Sequence, residues 1–104
     1  MRAAILHQAN QPLTIEEVAV DKPMGREVLV KTVASGVCHS DLHFARNEWG
    51  FTQYPVVPGH EILGRVTRVG AKVTKFKAGD LASVGCLVDS CRACDCCKKG
   101  LEQY

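Results

Sequence analysis

Residues 59–70 read Gly59-His60-Glu61-Ile62-Leu63-Gly64-Arg65-Val66-Thr67-Arg68-Val69-Gly70, and the reading of this stretch decides the fold. Glu61 to Val69 predicts a strand, with Gly64 as an expected interruption and Gly70 as the turn beyond it. His60 and Glu61 put an imidazole and a carboxylate at the strand's entry. Working back along the chain, Gly36-Val37-Cys38-His39-Ser40-Asp41 offers a thiolate from a separate segment. Ahead of it, Glu27-Val28-Leu29-Val30-Lys31-Thr32-Val33-Ala34 is rich in β-branched residues and predicts a strand. Ser35-Gly36 is expected to break that strand, and Val37 to His43 to form a short helical turn.

The flanks continue the pattern. Ala3–Leu6 and Leu13–Val18 predict two short strands joined through Asn10-Gln11-Pro12, and Leu81–Val84 predicts the last strand. Residues 46–59 hold two prolines, two glycines, Trp49, Phe51 and Tyr54, which predicts an irregular loop with aromatic anchors. From Gly85 onward the chain reads as a cysteine-rich loop with a helical turn near residues 98–104. Many short strands with Gly and Pro turns predict a mainly β, barrel-like domain.

Composition narrows the classes. A chain of 104 residues holds one small domain. Thirteen basic against eleven acidic residues, net +2, is too balanced for a nucleic-acid partner or an anionic membrane surface. No apolar run approaches the ~20 residues of a spanning helix. Six cysteines would suit a secreted disulfide scaffold. However, the N-terminus Met1-Arg2-Ala3-Ala4-Ile5-Leu6-His7 has no apolar h-region or cleavage site. The cysteines also cluster at ligand spacing. The expectation is a cytoplasmic protein whose thiolates hold metal.

Zinc favours cysteine sulfur and histidine nitrogen, and a catalytic zinc site keeps one position open. Cys38 and His60 fit that chemistry, and Glu61 could bind transiently or lie just behind the ion. Asp41 is placed to accept the free ring N–H of His60 and fix its tautomer. The Ser40 hydroxyl could pass a proton from an alcohol. Taken singly, Cys38 also reads as a small buried hydrophobe and His60 as a satisfied core histidine. Cys91-x2-Cys94-x2-Cys97 is a second group at metal-ligand spacing and reads as a closed site.

Gly59-His60-Glu61-x2-Gly64-x5-Gly70-x2-Val73 resembles the signature of zinc-containing alcohol dehydrogenases of the medium-chain dehydrogenase/reductase superfamily. Gly36-Val37-Cys38-His39-Ser40-Asp41 resembles their first ligand segment. Asn47-Glu48-Trp49-Gly50, Tyr54-Pro55-x2-Pro58 and Gly85-Cys86-x4-Cys91 are similar to the NADP-preferring cinnamyl-alcohol-dehydrogenase branch. Leu63 departs from the pattern, which usually has a smaller residue there. The resemblance covers the whole chain. It implies a GroES-like, partly open β-barrel over residues 1–104, with a cysteine-rich zinc lobe at about 86–104, as the N-terminal catalytic domain of a longer enzyme.

The resemblance implies roles residue by residue. Cys38 and His60 would be catalytic zinc ligands, with Glu61 the alternate ligand. Ser40 would be the proton-relay hydroxyl and Asp41 the partner of His60. His39 would face the cofactor pyrophosphate and extend the relay. Phe44, Trp49, Phe51 and Cys86 would line the pocket of an aryl or allylic alcohol or its aldehyde. For Trp49 and Phe51, loop-anchoring packing is an equally good account. Cys91, Cys94 and Cys97 would hold a structural zinc whose fourth cysteine, like the third catalytic cysteine, falls beyond residue 104. Cys96 is an extra thiol beside Cys97. The cofactor would be NADP or NAD, and the parent a homodimer. His7 and His43 have no implied role and are expected to face solvent.

These 104 residues contain no Gly-x-Gly-x-x-Gly dinucleotide fingerprint, so no Rossmann domain is expected, and the chain alone is expected to be inactive as a dehydrogenase. Two other readings of the Cys91 group stay open. One is an iron–sulfur site, although position 101 is Leu101 where that run needs cysteine. The other is a set of oxidisable free thiols. For the whole chain, the alternative to an enzyme is a non-catalytic GroES-like module that binds metal or a partner.

Overall fold

The computed structural model describes residues 1–104. It is mainly β, as expected, with two separate sheets that do not close into a barrel. Strands β1 (Arg2–Ile5) and β2 (Thr14–Glu17) form an antiparallel pair, and β3 (Val28–Gly36), β4 (Glu61–Val69) and β5 (Leu81–Val84) form an antiparallel sheet in that order. Helix α1 (His39–Arg46) lies between β3 and β4, and a single turn, α2 (Asp95–Lys98), follows β5. Just beyond β1, Leu6 exchanges backbone hydrogen bonds with Val56, in the loop between α1 and β4, at 2.8 and 2.9 Å.

Four sequence expectations need correction. Strand β4 is not interrupted at Gly64, which pairs with Thr32 on one side and Ala82 on the other. A β-carbon on Gly64 would lie 2.5 Å from the Lys31 carbonyl oxygen and would also meet Val30 Cγ1. Glycine here therefore lets two strands approach closely rather than breaking one. Near Gly64 the irregularity sits in the partner strand, where the register shifts between Thr32 and Ala34 and leaves Val33 as the extra residue of a bulge, while a second shift, between Leu29 and Val30, skips Thr67 of β4.

Strand β3 does not break at Ser35-Gly36 either, because Ser35 and Gly36 pair with Ile62 and Glu61. The helical turn expected over 37–43 is a two-turn helix, ended by Asn47 in the left-handed region at φ 55°, its N–H reaching the carbonyls of His43 and Phe44. The turn expected at 98–104 instead starts at Asp95, because Cys94 Sγ accepts the Cys97 N–H at 3.5 Å and caps it there.

Packing is thin. The buried hydrophobic side chains are Ile5, Leu6, Val66 and Ala82. The accessible surface is 8034 Å², whereas a compact protein of this mass exposes about 5,700 Å². The radius of gyration is 15.6 Å, against about 13 Å for a compact domain of this length. Much of the surplus is apolar, with Met24, Leu81, Leu87 and Val88 all exposed. No helix is long and apolar enough to cross a membrane.

Candidate metal centres

Strand pairing builds the first centre. Gly36, the last residue of β3, pairs with Glu61, the first of β4. Cys38 and His60 therefore leave the sheet at the same end, although 22 positions separate them in sequence. A β-carbon on Gly36 would strike the Glu61 carboxylate, so glycine there makes room for that side chain to cross toward Cys38. The ligand atoms of Cys38, His60 and Glu61 lie within 4.8 Å of one another, on a patch where Cys38 and His60 are half-buried and Glu61 is exposed. Three donors so close fit a shared ion, since zinc takes ligands at about 2.0–2.3 Å.

Asp41 organises this set with both carboxylate oxygens. Oδ2 accepts the Cys38 backbone N–H at 2.9 Å, capping α1. Oδ1 lies 3.0 Å from His60 Nδ1. A carboxylate can only accept here, so Nδ1 carries the proton and Nε2 is left as the ligand atom. Ser40 Oγ lies 3.6 Å from Cys38 Sγ. Hydrogen bonds from the Ser40 backbone and hydroxyl, and then from His60, hold the Cys38 thiol below its usual pKa. The bond to Cys38 raises the pKa of His60, and the Asp41 charge adds to it. Without metal the pair tends toward thiolate and imidazolium.

The second centre gathers Cys91, Cys94 and Cys97, again with ligand atoms within 4.8 Å of one another. The Cys91 and Cys97 sulfurs are 3.6 Å apart. Two thiolates on one tetrahedral zinc would be about 3.8 Å apart, given Zn–S of ~2.3 Å. The Cys94 N–H donates to Cys91 Sγ at 3.4 Å and the Cys97 N–H to Cys94 Sγ at 3.5 Å. Backbone N–H groups of Ala93 and Cys94 bring the Cys91 pKa down to about 6, while its hydrogen bond with Cys94 holds Cys97 above its usual value. Cys96 stands outside the group.

An aromatic flank adjoins the first centre. Phe44 packs edge-on against Trp49 and Phe51, with ring centroids 5.0 and 5.7 Å apart, and Trp49 stacks on Phe51 at 5.8 Å. Trp49 is 44% and Phe51 62% exposed, so the cluster forms one wall and not an enclosed pocket. Cys86, also exposed, follows β5, whose Val84 pairs with Ile62, so it emerges at the same end of the sheet.

His43 corrects the expectation of a solvent-facing side chain. It is half-buried, bonded to Glu48 through Nδ1, with its ring 4.8 Å from His39 and 5.0 Å from Trp49. Four-residue spacing from His39 on a predicted helix was the signal available for this. His7 is exposed but paired with Glu16. A cavity of about 930 Å³ lies elsewhere, lined by residues 21–30, by Phe76 and by residues from Ala82 to Arg92, and none of Cys38, His60, Glu61, Cys91, Cys94, Cys97, Phe44, Trp49 or Phe51 lines it.

The chain is 64% identical over 78 residues to 8-hydroxygeraniol dehydrogenase of Catharanthus roseus, covering 75% of this chain and 22% of that enzyme. Its structure superposes on a cinnamyl alcohol dehydrogenase from Sorghum bicolor with a TM-score of 0.91 at 46% identity, covering 99% of this chain and 29% of that one. It also superposes on the Helicobacter pylori cinnamyl alcohol dehydrogenase complexed with NADP(H), with a TM-score of 0.88 at 39% identity, covering 100% and 31%. The chain thus spans less than a third of the length of each of these relatives. The model of the alcohol dehydrogenase GroES-like domain matches residues 24–104, and the chain belongs to that family.

Proposed function

We propose that these 104 residues are the zinc-binding part of the catalytic domain of a larger alcohol dehydrogenase that interconverts primary aryl or allylic alcohols and their aldehydes with NADP or NAD. The observation that carries this is the convergence of Cys38, His60 and Glu61 within 4.8 Å, with Asp41 bonded behind His60 at 3.0 Å. Relatives named for cinnamyl alcohol and 8-hydroxygeraniol support the substrate class, and a neighbour complexed with NADP(H) supports the cofactor.

Cys38, His60 and Glu61 would hold the catalytic zinc, and Cys91, Cys94 and Cys97 the structural one. Zinc in the first site supplies a Lewis acid toward an alcohol or aldehyde oxygen, and the nicotinamide supplies the two-electron acceptor. The chain's own groups do the rest. Asp41 fixes the His60 ring so that Nε2 faces the ion. Glu61 is the exchangeable ligand, being the exposed member of the set. Ser40 Oγ, beside Cys38 Sγ, takes the substrate hydroxyl proton, and His39, exposed at the start of α1, passes it outward and faces the cofactor pyrophosphate. Trp49, Phe51 and Phe44 offer flat apolar surface to an aryl or allylic group, with Cys86 as a further lining residue. The protein is cytoplasmic in this reading, which suits six free cysteines.

The open wall and the surplus surface mean that the remainder of the parent completes the site, so the isolated chain should not oxidise alcohols. The parent enzyme carrying Ser40→Ala should keep its zinc and lose about 10²-fold or more in kcat. Unchanged kcat would remove Ser40 from the mechanism. NADP-dependent oxidation of cinnamyl alcohol by the isolated chain would overturn the division of labour.

A further inference from the structure

We propose that His39 and His43 form a separate two-imidazole site on α1 for a divalent transition-metal ion of the imidazole-preferring class, such as nickel, copper or zinc. The two residues are one helical turn apart, the spacing at which histidines on one helix face share an ion. Their ring centroids are 4.8 Å apart with an interplanar angle of 63°. An ion about 2.05 Å from each nitrogen lies about 3.2 Å from each centroid. Two imidazoles on it are then about 4.5 Å apart at a right angle and about 5.2 Å apart at the tetrahedral angle. The observed separation falls between these limits, so the ring spacing is compatible with a shared ion.

Neighbouring residues hold the pair ready. Glu48 occupies His43 Nδ1, which leaves Nε2 as the ligand atom, the same arrangement Asp41 imposes on His60. Trp49 lies against the His43 ring at 5.0 Å and a 34° tilt, which limits its rotation. His39 is exposed, so an ion can reach it. The pair is distinct from the Cys38, His60 and Glu61 group. Imidazole without thiolate favours nickel and copper as much as zinc, whereas the cysteine sites favour zinc. Binding here does not depend on the proposed function. Only its consequence does: an ion on His39 would withdraw that ring from the cofactor and inhibit the parent enzyme.

Trp49 is the single tryptophan and reports on the site directly. The chain is loaded with zinc, freed of excess, and titrated with nickel chloride while Trp49 emission is recorded. Saturable quenching by one equivalent is expected, because the ion would bind a ring whose centroid lies 5.0 Å from that of the indole. His39→Gln and His43→Gln should each shift the midpoint about ten-fold or more to higher nickel, since each leaves a monodentate site. His7→Gln should not change it. Circular dichroism confirms that each variant keeps its fold, and His39, being exposed, is replaceable without disturbing packing. An unchanged midpoint in both helix variants would overturn the proposal. Loss of quenching in Cys38→Ser would do the same, by placing nickel on the thiolate site.

Discussion

Asp41 holds His60 across 19 residues of sequence, with Oδ1 3.0 Å from Nδ1, while its other oxygen caps the helix that carries Cys38. One carboxylate thus sets the orientation of both ligand segments. A defect at Asp41 should therefore show in zinc affinity and in helix stability together.

Asp41→Asn keeps an acceptor for the Cys38 N–H but loses the charge behind His60. Zinc affinity at the first centre should fall about 10- to 100-fold, measured by competition with a chromogenic chelator, while the second centre stays filled. Asp41→Ala should in addition cost roughly 1 kcal/mol of stability through the lost cap. Equal zinc affinity in Asp41→Asn and the unaltered chain would show that the carboxylate does not tune the ligand.

The zinc-free chain should show a His60 pKa above the ordinary value of about 6.5, because Cys38 first, and then Asp41, favour the imidazolium. The sign follows from linkage: a raised folded-state pKa contributes stability fully present below about pH 6.5 and lost as pH rises through the folded value. Cys38, held low, acts in the opposite direction. Its contribution is present above the unfolded thiol pKa and lost as pH falls through the folded one. NMR titration of the ring protons should place the His60 midpoint lower in Cys38→Ser than in the unaltered chain. A midpoint that does not move would break the proposed coupling.

Gly64→Ala tests the close approach of β3 and β4. The added methyl meets Val30 and the Lys31 carbonyl, and the strands must separate. The loss should be about 1–3 kcal/mol, lowering the thermal midpoint by about 4–8 °C per kcal/mol in a domain of this size. A midpoint within 1–2 °C of the original, roughly the noise of such a comparison, would mean that β4 tolerates a side chain there.

Phe51→Ala removes a side chain that is 62% exposed and stacked on Trp49. Stability should change by less than ~0.5 kcal/mol, yet Trp49 emission should shift to the red as water reaches the ring. In the parent enzyme KM for an aryl alcohol should rise, with kcat less affected. A large loss of stability would instead mark Phe51 as loop-anchoring packing.

The two candidate metal-binding groups were legible in the sequence as clusters because thiolate, imidazole and carboxylate side chains stand at ligand spacing there, and the fold brings each set within 4.8 Å. The strands of the larger sheet were legible for a similar reason, since β-branched runs between glycine turns have few other folds. Local punctuation misled. Gly64 looked like a break because a glycine's need for close packing cannot be told from its flexibility without the partner strand. In sequence α1 resembles a turn because its second half ends at Asn47, a left-handed cap that carries a side chain. His43 lacks an evident partner in sequence because His39 and Trp49 meet it only through the helix and the loop beyond. The openness of the domain is not legible in its individual strands and turns, and only the resemblance implied a partly open barrel. It depends on what would cover Met24, Leu87 and Val88.

Zinc at Cys38 and His60 is tested directly by native mass spectrometry of the zinc-loaded chain. Two zinc ions are expected on the unaltered chain, one on His60→Ala or Cys38→Ser, and one on Cys91→Ser, with the remaining ion in the undisturbed centre. Zinc content unchanged by His60→Ala and Cys38→Ser would contradict this, leaving those residues as a hydrogen-bonded pair without a metal role.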